Sequence, residues 1–240
     1  MREIFYMEVV IDLADLLDRN FLNRSVKVMS HTLIPKARNQ FQKPVEIKRY
    51  VKINKEFLYA LGLWEGDKYV YGGSVGLTNT SKELIEEFIR FLEKFLENKQ
   101  KIREVSINNG TAKRVYVNSW LLRRIIEKLS ENKEKFINSK EDLLAYLSGK
   151  IDADGTIMIR NAYYKSGLIK ITYVNKLEAE RDKTLLQKFG LNGNLISYKS
   201  RNAYDLKLTY SSSLEILNLL FLKHPEKQKK LTILMGLTRR

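Results

Sequence analysis

Residues 143–157 read LLAYLSGKIDADGTI, an apolar run with small residues inside it that ends on two aspartates flanking an alanine. Residues 57–69 read FLYALGLWEGDKY and follow the same plan, an apolar run with internal glycines that ends on two acids one residue apart. Both runs have the composition and length of buried helices. The sequence therefore predicts two copies of one helix, each with carboxylates at its C-terminal end.

Small residues recur four positions apart in both runs. Residues i and i+4 lie on one face of a helix, and small side chains there let two helices approach until their backbones nearly touch. We therefore expect the two helices to pack on each other through these faces, which brings their acidic ends together. The predicted contact residues are Gly62, Gly66, Gly149 and Ala153.

The paired acids predict a site for a divalent cation. Carboxylates at the negative C-terminal ends of two helices repel each other unless a cation lies between them, and hard cations prefer oxygen ligands. We expect Asp67 and Asp154 to hold Mg²⁺, with Mn²⁺ as a substitute. Glu65 is the alternative to Asp67. If the first copy were shifted so that Glu65 took the position of Asp154, bulky Trp64 would lie at the close helix contact. We favour Asp67, which makes Glu65 the counterpart of Asp152.

The charge of the chain indicates a polyanionic partner. The 240 residues include 43 Lys and Arg against 28 Asp and Glu, which gives a net charge of +15. Such an excess favours binding to nucleic acid. There are no cysteines, which excludes disulfide scaffolds, thiolate zinc sites and cysteine nucleophiles. The Lys- and Glu-rich composition is typical of a thermophile. We find no signal peptide and no apolar run of membrane-spanning length, so we expect a cytoplasmic protein without membrane contact.

The pattern around the two acid-ended helices is duplicated. Each copy reads helix, two strands, helix, two strands, helix, and the copies are offset by the 87 residues that separate Asp67 from Asp154. Internal duplication of this kind predicts an α+β protein built from two similar units. The predicted domains are a first repeat at 51–138, a second repeat at 139–240, and an N-terminal extension at 1–50 whose fold the sequence does not assign.

The stretch DADG also occurs at the start of calcium-binding loops. An EF-hand requires an acid or asparagine at loop position five and a glutamate at position twelve. Counted from Asp152, those positions hold Thr156 and Tyr163. The calcium-loop interpretation is therefore rejected.

The segment LSGKIDADG, residues 147–155, closely resembles the LAGLIDADG motif, and ALGLWEGDK, residues 60–68, resembles a divergent first copy that has Lys68 in place of the final glycine. The resemblance to LAGLIDADG homing endonucleases extends over about 51–240. It implies two pseudo-symmetric αββαββα repeats that form a saddle-shaped antiparallel sheet, in a single chain that acts as a monomer. It also implies that Asp67 and Asp154 are metal ligands and catalytic.

The activity implied by the resemblance is site-specific cleavage of both strands of a long, asymmetric double-stranded DNA target by metal-assisted phosphodiester hydrolysis. The chain has no cysteine and no C-terminal His-Asn, so intein signals are missing and we expect an intron-encoded or free-standing protein. Two alternatives with the same fold stay open. One is an RNA-splicing maturase that binds its own intron RNA, and the other is a DNA-binding regulator that does not cleave.

Basic and polar residues on the predicted strands alternate with apolar residues, so we expect them to point away from the core. Such side chains are suited to phosphate and base contacts. The resemblance further implies basic residues near the catalytic acids, for which Lys207 and Arg114 are the favoured candidates. The predicted DNA-contacting residues are Arg160, Lys170, Lys199, Lys207, Arg114, Thr156 and Met158.

Overall fold

The computed structural model describes residues 9–36, 44–161, 166–198, 202–208 and 216–238, without the side chains of residues 160, 161, 166, 237 and 238. The chain divides into two compact units. The first comprises Met1–Phe57 and Lys68–Phe136, and the second comprises Leu58–Asp67 and Ile137–Arg240. The predicted mixed α and β class, with antiparallel sheets, is confirmed.

The segment that precedes the first repeat belongs to the first unit. Its elements are β1 (Val9–Asp12), α1 (Arg19–Ser25), β2 (Val26–Val28), β3 (Thr32–Pro35), β4 (Ile47–Lys48) and β5 (Tyr50–Ile53). Strand β1 pairs antiparallel with β5, and β2, β3 and β4 form a three-stranded sheet. An ion pair of 2.6 Å joins Asp12, at the end of β1, to Arg49, the residue between β4 and β5, and the Phe21 ring lies edge-on against Trp120. The segment is therefore packed onto the first repeat.

The first repeat follows the predicted element order. Its elements are α2 (Lys55–Asp67), β6 (Lys68–Tyr71), β7 (Ser74–Asn79), α3 (Lys82–Glu93), β8 (Ile102–Ile107), β9 (Ala112–Asn118) and α4 (Trp120–Glu131). The four strands form one antiparallel sheet in the order β6-β7-β9-β8. Helices α3 and α4 pack on the face of this sheet that carries Val75, Leu77, Val115 and Val117, all fully buried.

The second repeat has the same topology. Its elements are α5 (Lys140–Asp154), β10 (Gly155–Asn161), β11 (Ser166–Tyr173), α6 (Lys176–Lys188), β12 (Gly193–Tyr198) and β13 (Ala203–Leu208). A helical stretch at 216–219 and helix α7 (Pro225–Thr238) follow. The strand order is β10-β11-β13-β12, which matches the first sheet position by position. The duplication seen in the sequence is therefore a duplication of the fold.

Local sequence signals explain where the two acid-ended helices begin and end. The Asn54 side chain accepts the amide hydrogen of Phe57 and begins α2, and the Ser139 hydroxyl accepts that of Asp142 and begins α5. Both residue types are favoured N-caps. Each helix continues to its terminal aspartate and passes directly into a strand, without a loop. The terminal carboxylates therefore lie at a fixed helix-to-strand junction.

Candidate active site

Helices α2 and α5 cross at glycines inside the second unit. A Cβ atom on Gly62 would lie 2.0 Å from the carbonyl oxygen of Tyr146, and one on Gly149 would lie 1.9 Å from that of Tyr59. A Cβ on Gly66 would lie 2.3 Å from the Cβ of Ala153. Real side chains do not approach backbone this closely, so only glycine permits the crossing. The structure thus brings the four predicted contact residues together.

The crossing is held by two reciprocal hydrogen bonds. The Tyr59 hydroxyl donates to Asp152 Oδ2 and the Tyr146 hydroxyl donates to Glu65 Oε2, both at 2.6 Å. Tyr146 follows Tyr59 by 87 residues, and Asp152 follows Glu65 by the same number, so the two bonds join equivalent residues of the two repeats. Each repeat therefore supplies a tyrosine to the acid of the other repeat. Glu65 and Asp152 occupy equivalent buried positions, two residues before the terminal aspartates.

The terminal aspartates lie farther along the same helices and are more accessible. Asp67 is half-buried, and Asp154 is exposed. Gly66 is the residue before Asp67, and a Cβ atom on it would lie 3.4 Å from Asp154 Oδ2. Both carboxylates also act electrostatically on the same ammonium group, that of Lys227. The two predicted metal ligands therefore converge on one place.

Glu65 is committed to a buried ion-pair network. Its Oε2 atom lies 3.0 Å from Lys150 Nζ, which also lies 2.9 Å from Asp182 Oδ2. The Tyr173 hydroxyl donates to Asp182 Oδ2 at 2.8 Å, and the oxygen of the Tyr146 hydroxyl lies 3.1 Å from the same atom. The Lys150 ammonium lies 4.5 Å from the centre of the Tyr173 ring. Burial alone would lower the pKa of Lys150, but the neighbouring carboxylates, Asp182 foremost, outweigh it and raise that pKa.

Asp152 is held by the two residues that precede helix α7. Its Oδ2 atom accepts the backbone N–H groups of Lys223 at 2.6 Å and His224 at 3.3 Å, in addition to the Tyr59 hydroxyl. Its Oδ1 atom has no hydrogen-bond partner among the described residues. Burial raises the pKa of Asp152, and the hydrogen bonds only partly offset this effect.

A lysine that sequence reasoning missed lies at the same helix end. The ammonium of Lys227, in the first turn of α7, donates to the carbonyl oxygens of Ile151, Asp152 and Ala153 at 2.8, 2.7 and 2.9 Å. Burial lowers its pKa, while the carboxylates nearby partly offset the change. The sequence around Lys227 does not mark it, because a lysine in the first turn of a helix is only mildly unfavourable and its partners lie on another helix.

The donor set at the helix ends fits a hard divalent cation. Asp67 and Asp154 supply two carboxylates, and Mg²⁺ is commonly held by one or two carboxylates together with water and substrate phosphates. Within the part of the chain that the structure describes, no group of three or more His, Cys, Asp or Glu could hold a metal ion.

The second sheet carries the predicted DNA-contacting residues on the face opposite its core. Thr156, Lys170 and Lys207 lie in one row across three strands, and Asn194 completes the row. Thr156 and Met158 are exposed and Lys207 is half-buried, whereas the ammonium of Lys170 binds Asp205 Oδ2 at 2.7 Å. Lys199 and the side chain of Arg160 lie outside the described residues.

The matching face of the first sheet is aromatic. Arg114 stacks on the ring of Tyr69, 4.1 Å from its centre, and its Nε donates to Thr78 Oγ1 at 3.2 Å. The rings of Tyr69 and Tyr116 meet edge to face, with centroids 5.9 Å apart. Gly76 lies on the strand between the two tyrosines and pairs with both of them. A Cβ atom on Gly76 would lie 2.6 Å from the Cβ of Tyr116, so a side chain there would collide with it.

The two favoured basic candidates do not occupy equivalent positions. In the first sheet Arg114 pairs with Thr78. Thr172 is the equivalent of Thr78 in the second sheet, and the residue that pairs with it is Asp205. Lys207 corresponds instead to Tyr116. Arg114 and Lys207 are therefore not equivalent residues of the two repeats.

Comparison with known proteins agrees with this architecture. Residues 54–130 and 141–220 match the family described as the LAGLIDADG-like domain, one match for each repeat. The chain belongs to the LAGLIDADG family. A curated relative, the B subunit of the A-type ATP synthase of Methanopyrus kandleri, is 31% identical over 176 residues, which are 72% of this chain but 16% of that protein.

Solved structures share the fold. A mesophilic variant of the homing endonuclease I-DmoI aligns with a TM-score of 0.54 at 20% identity, covering 69% of this chain and 94% of that one. I-DmoI in complex with DNA and Mn aligns with a TM-score of 0.52 at 19% identity, covering 69% and 96%. I-DmoI with DNA and Ca aligns with a TM-score of 0.53 at 20% identity, covering 73% and 96%. Within the described residues, no helix is long and apolar enough to cross a membrane.

Proposed function

We propose that the protein is a homing endonuclease, a site-specific enzyme that cuts both strands of a long double-stranded DNA target. The observation that carries this proposal is the glycine crossing of α2 and α5, which delivers the ends of both helices to one place. One carboxylate comes from each repeat, Asp67 from the first and Asp154 from the second. Two related acids suit two related cuts, one on each strand.

The proposed roles follow from accessibility. Asp67 and Asp154 are the outermost acids of their helices, one half-buried and the other exposed, so we assign them to metal binding and catalysis. A divalent cation bound there would neutralise charge on the scissile phosphate and activate a water molecule. Glu65 and Asp152 are assigned no catalytic role, because their carboxylates are bound inside the helix pair. They position the helices whose ends carry the reactive acids.

The outward faces of the two sheets are proposed to contact the DNA. A β-ribbon fits the major groove, where every base pair presents a distinct pattern of donors and acceptors. Arg114 is preorganised by its stacking on Tyr69, and Lys207 lies between Lys170 and Asn194 on its own sheet. We propose both basic residues as contacts to bases or phosphates, and as the nearest candidates for assisting catalysis.

The target is proposed to be asymmetric. Equivalent rows across the two sheets read Tyr69, Gly76, Tyr116 and Arg103 in the first, and Thr156, Lys170, Lys207 and Asn194 in the second. The first row is aromatic with one cation, whereas the second is polar with two. Surfaces that differ this much favour different half-sites. A single chain with both acids then needs no second copy, so we propose a monomer.

The related structures support divalent metal and DNA as ligands. The homing endonuclease I-DmoI has been crystallised with DNA in the presence of Mn, Mg or Ca. By analogy we propose Mg²⁺ as the cofactor, with Mn²⁺ as a substitute. The chain spans only 16% of the ATP synthase subunit, so we propose nothing of that protein's activity for this chain.

A target selection followed by cleavage tests the proposal. The purified chain is used in Ca²⁺ to select binding sites from a random duplex library, and the enriched site is then cloned into a plasmid and incubated with Mg²⁺. We expect linearised plasmid with the wild type and none with Asp154→Asn, which still binds. Tight binding without any cutting would instead indicate a regulator, and binding of structured RNA in preference to the duplex would indicate a maturase.

A further inference from the structure

The end of α5 is bound by the start of α7 and by the two residues that precede it. The carboxylate of Asp152 in α5 accepts the N–H groups of Lys223 and His224, and the ammonium of Lys227 in the first turn of α7 donates to three carbonyls at the end of α5. The last carbonyls of a helix have no partner within the helix and carry its negative pole. Lys227 therefore satisfies and neutralises the helix end that carries Asp154.

The geometry of Lys227 restricts what it can do. An ammonium has three hydrogens and no acceptor, and all three have a carbonyl partner at 2.7 to 2.9 Å. No hydrogen remains for a phosphate oxygen or for a leaving group without breaking one of these bonds. A role in holding the helix end accounts for the contacts, whereas a role as a proton donor does not.

We propose that Lys227 is a positioning residue of the cleavage site, which fixes the end of α5 and lowers the negative charge around Asp67 and Asp154. The inference rests on the proposed endonuclease function, whose catalytic acids it serves. Its ammonium is bound to the carbonyl oxygen of Ala153, the residue before Asp154, so its positive charge opposes the negative charge collected at this helix end. The residue lies outside both motif copies and outside both sheets.

Three variants separate charge from geometry. Lys227→Met removes the charge and the three hydrogen bonds but keeps the length of the side chain. Lys227→Arg keeps the charge, but a planar guanidinium cannot direct three hydrogens at carbonyls grouped around one atom. Lys229→Met is the matched control, because it removes the same charge from an exposed position of the same helix.

Binding of Mn²⁺ to the DNA-free protein, followed by electron paramagnetic resonance, gives a readout that does not depend on cleavage. Removal of a cation beside two carboxylates should tighten Mn²⁺ binding by about threefold or more, since neighbouring unit charges near a surface interact by this order of energy. We expect tighter binding in Lys227→Met, and unchanged binding in Lys227→Arg and Lys229→Met. A merely structural role would leave Mn²⁺ binding unchanged or weaken it.

Cleavage of the selected target should respond to geometry. We expect the rate to fall by about tenfold or more in Lys227→Met, because small displacements of a catalytic group are costly, and by a smaller factor in Lys227→Arg. Binding of DNA in Ca²⁺ should stay close to that of Lys229→Met. Equal cleavage rates in Lys227→Met and Lys229→Met would overturn the inference, as would Mn²⁺ binding that weakens in Lys227→Met.

The outcomes also distinguish this inference from the proposed function. A wild type that cuts no selected target, while Lys227→Met still binds Mn²⁺ more tightly than the control, rejects the nuclease and leaves the charge role supported. Should Lys227→Met fail to fold, Lys227→Arg decides the matter. A folded Lys227→Arg that cuts as fast as the wild type contradicts the need for three carbonyl contacts, and slower cutting with unchanged Mn²⁺ binding supports it.

Discussion

The glycines of the helix crossing are the residues for which substitution has the most direct steric consequence. We expect Gly62→Ala to lower the free energy of unfolding by about 1–3 kcal/mol, the usual cost of overpacking. The obstacle is a backbone carbonyl of Tyr146 at 2.0 Å, which cannot rotate away as a side chain could. Denaturant unfolding measures the change.

Gly236→Ala is the matched control for that substitution. Gly236 lies in α7, and a Cβ there would meet no atom within 4 Å. The same change should therefore stabilise the protein by up to about 1 kcal/mol through helix propensity. A Gly62→Ala protein as stable as Gly236→Ala would mean that the helices do not cross as described.

Glu65 should matter for stability and not for chemistry. We expect Glu65→Gln to cost about 2 kcal/mol, the size of a charge-assisted hydrogen bond, because it removes one carboxylate from the buried Lys150 ammonium. Asp182 still pairs with Lys150, which limits the loss. Glu86→Gln is the control, since its ion pair with Lys82 is exposed and 3.6 Å long. Loss of cutting in a fully stable Glu65→Gln protein would transfer the metal role to Glu65.

At the scale of elements, the helix pair shows what a single sequence can and cannot predict. The four-residue spacing of Gly62 and Gly66 predicted a contact face, since helical periodicity is a local property. Lys150 interrupts the apolar run of the second motif in the sequence, but the sequence does not show which residues it pairs with. Asp182 and Tyr173 come from other elements, and only the tertiary fold brings them to Lys150.

The segment before the first repeat offers a test of how it is attached. Asp12 at the end of β1 is paired with Arg49, and this guanidinium holds the pKa of Asp12 below its ordinary value of 3.8 despite the opposing effect of burial. A carboxyl with a lowered folded pKa stabilises the protein above its unfolded pKa, and this contribution disappears as the pH falls through the folded value.

We therefore expect Asp12→Asn to lower the melting temperature at neutral pH by about 2 °C, a small effect as is usual for ion pairs near the surface. The difference from the wild type should vanish as the pH falls below 3.8. Asp15→Asn is the control at an exposed position in the same segment. A difference between Asp12→Asn and the wild type that persists at low pH would show that the Asp12 charge is not its source.

At the scale of the whole molecule, the net charge of +15 predicts binding that depends on salt. Each phosphate neutralised by the protein releases counterions, so the affinity for DNA falls steeply as salt rises. We expect the dissociation constant of the selected site to rise by about tenfold or more between 50 and 200 mM salt. Fluorescence anisotropy measures it, and light scattering on the same complex should report one chain per duplex. An affinity indifferent to salt, or two chains on a palindromic site, would contradict this description.

The duplicated fold could be predicted because each copy repeats the same helix and strand periods. The asymmetry between the copies could not. The alternation along a strand predicts that Arg114 and Lys207 point outward. Only the pairing of strands far apart in sequence shows that the second-repeat equivalent of Arg114 is Asp205, and that the first-repeat equivalent of Lys207 is Tyr116. Lys227 was missed for the same reason, since the carbonyls that it binds belong to a helix more than seventy residues earlier, at Ile151 to Ala153.

The catalytic role of the two terminal aspartates is tested most directly by strand cleavage with Asp67→Asn and Asp154→Asn. Each strand of the selected duplex is labelled, and binding in Ca²⁺ is measured in parallel. Asp142→Asn near the start of α5 is the control. We predict that both variants bind the target as tightly as the control does, and that neither makes the double-strand cut in Mg²⁺. A double-strand cut by either variant at the rate of the control would contradict the assignment of these two carboxylates as the catalytic pair.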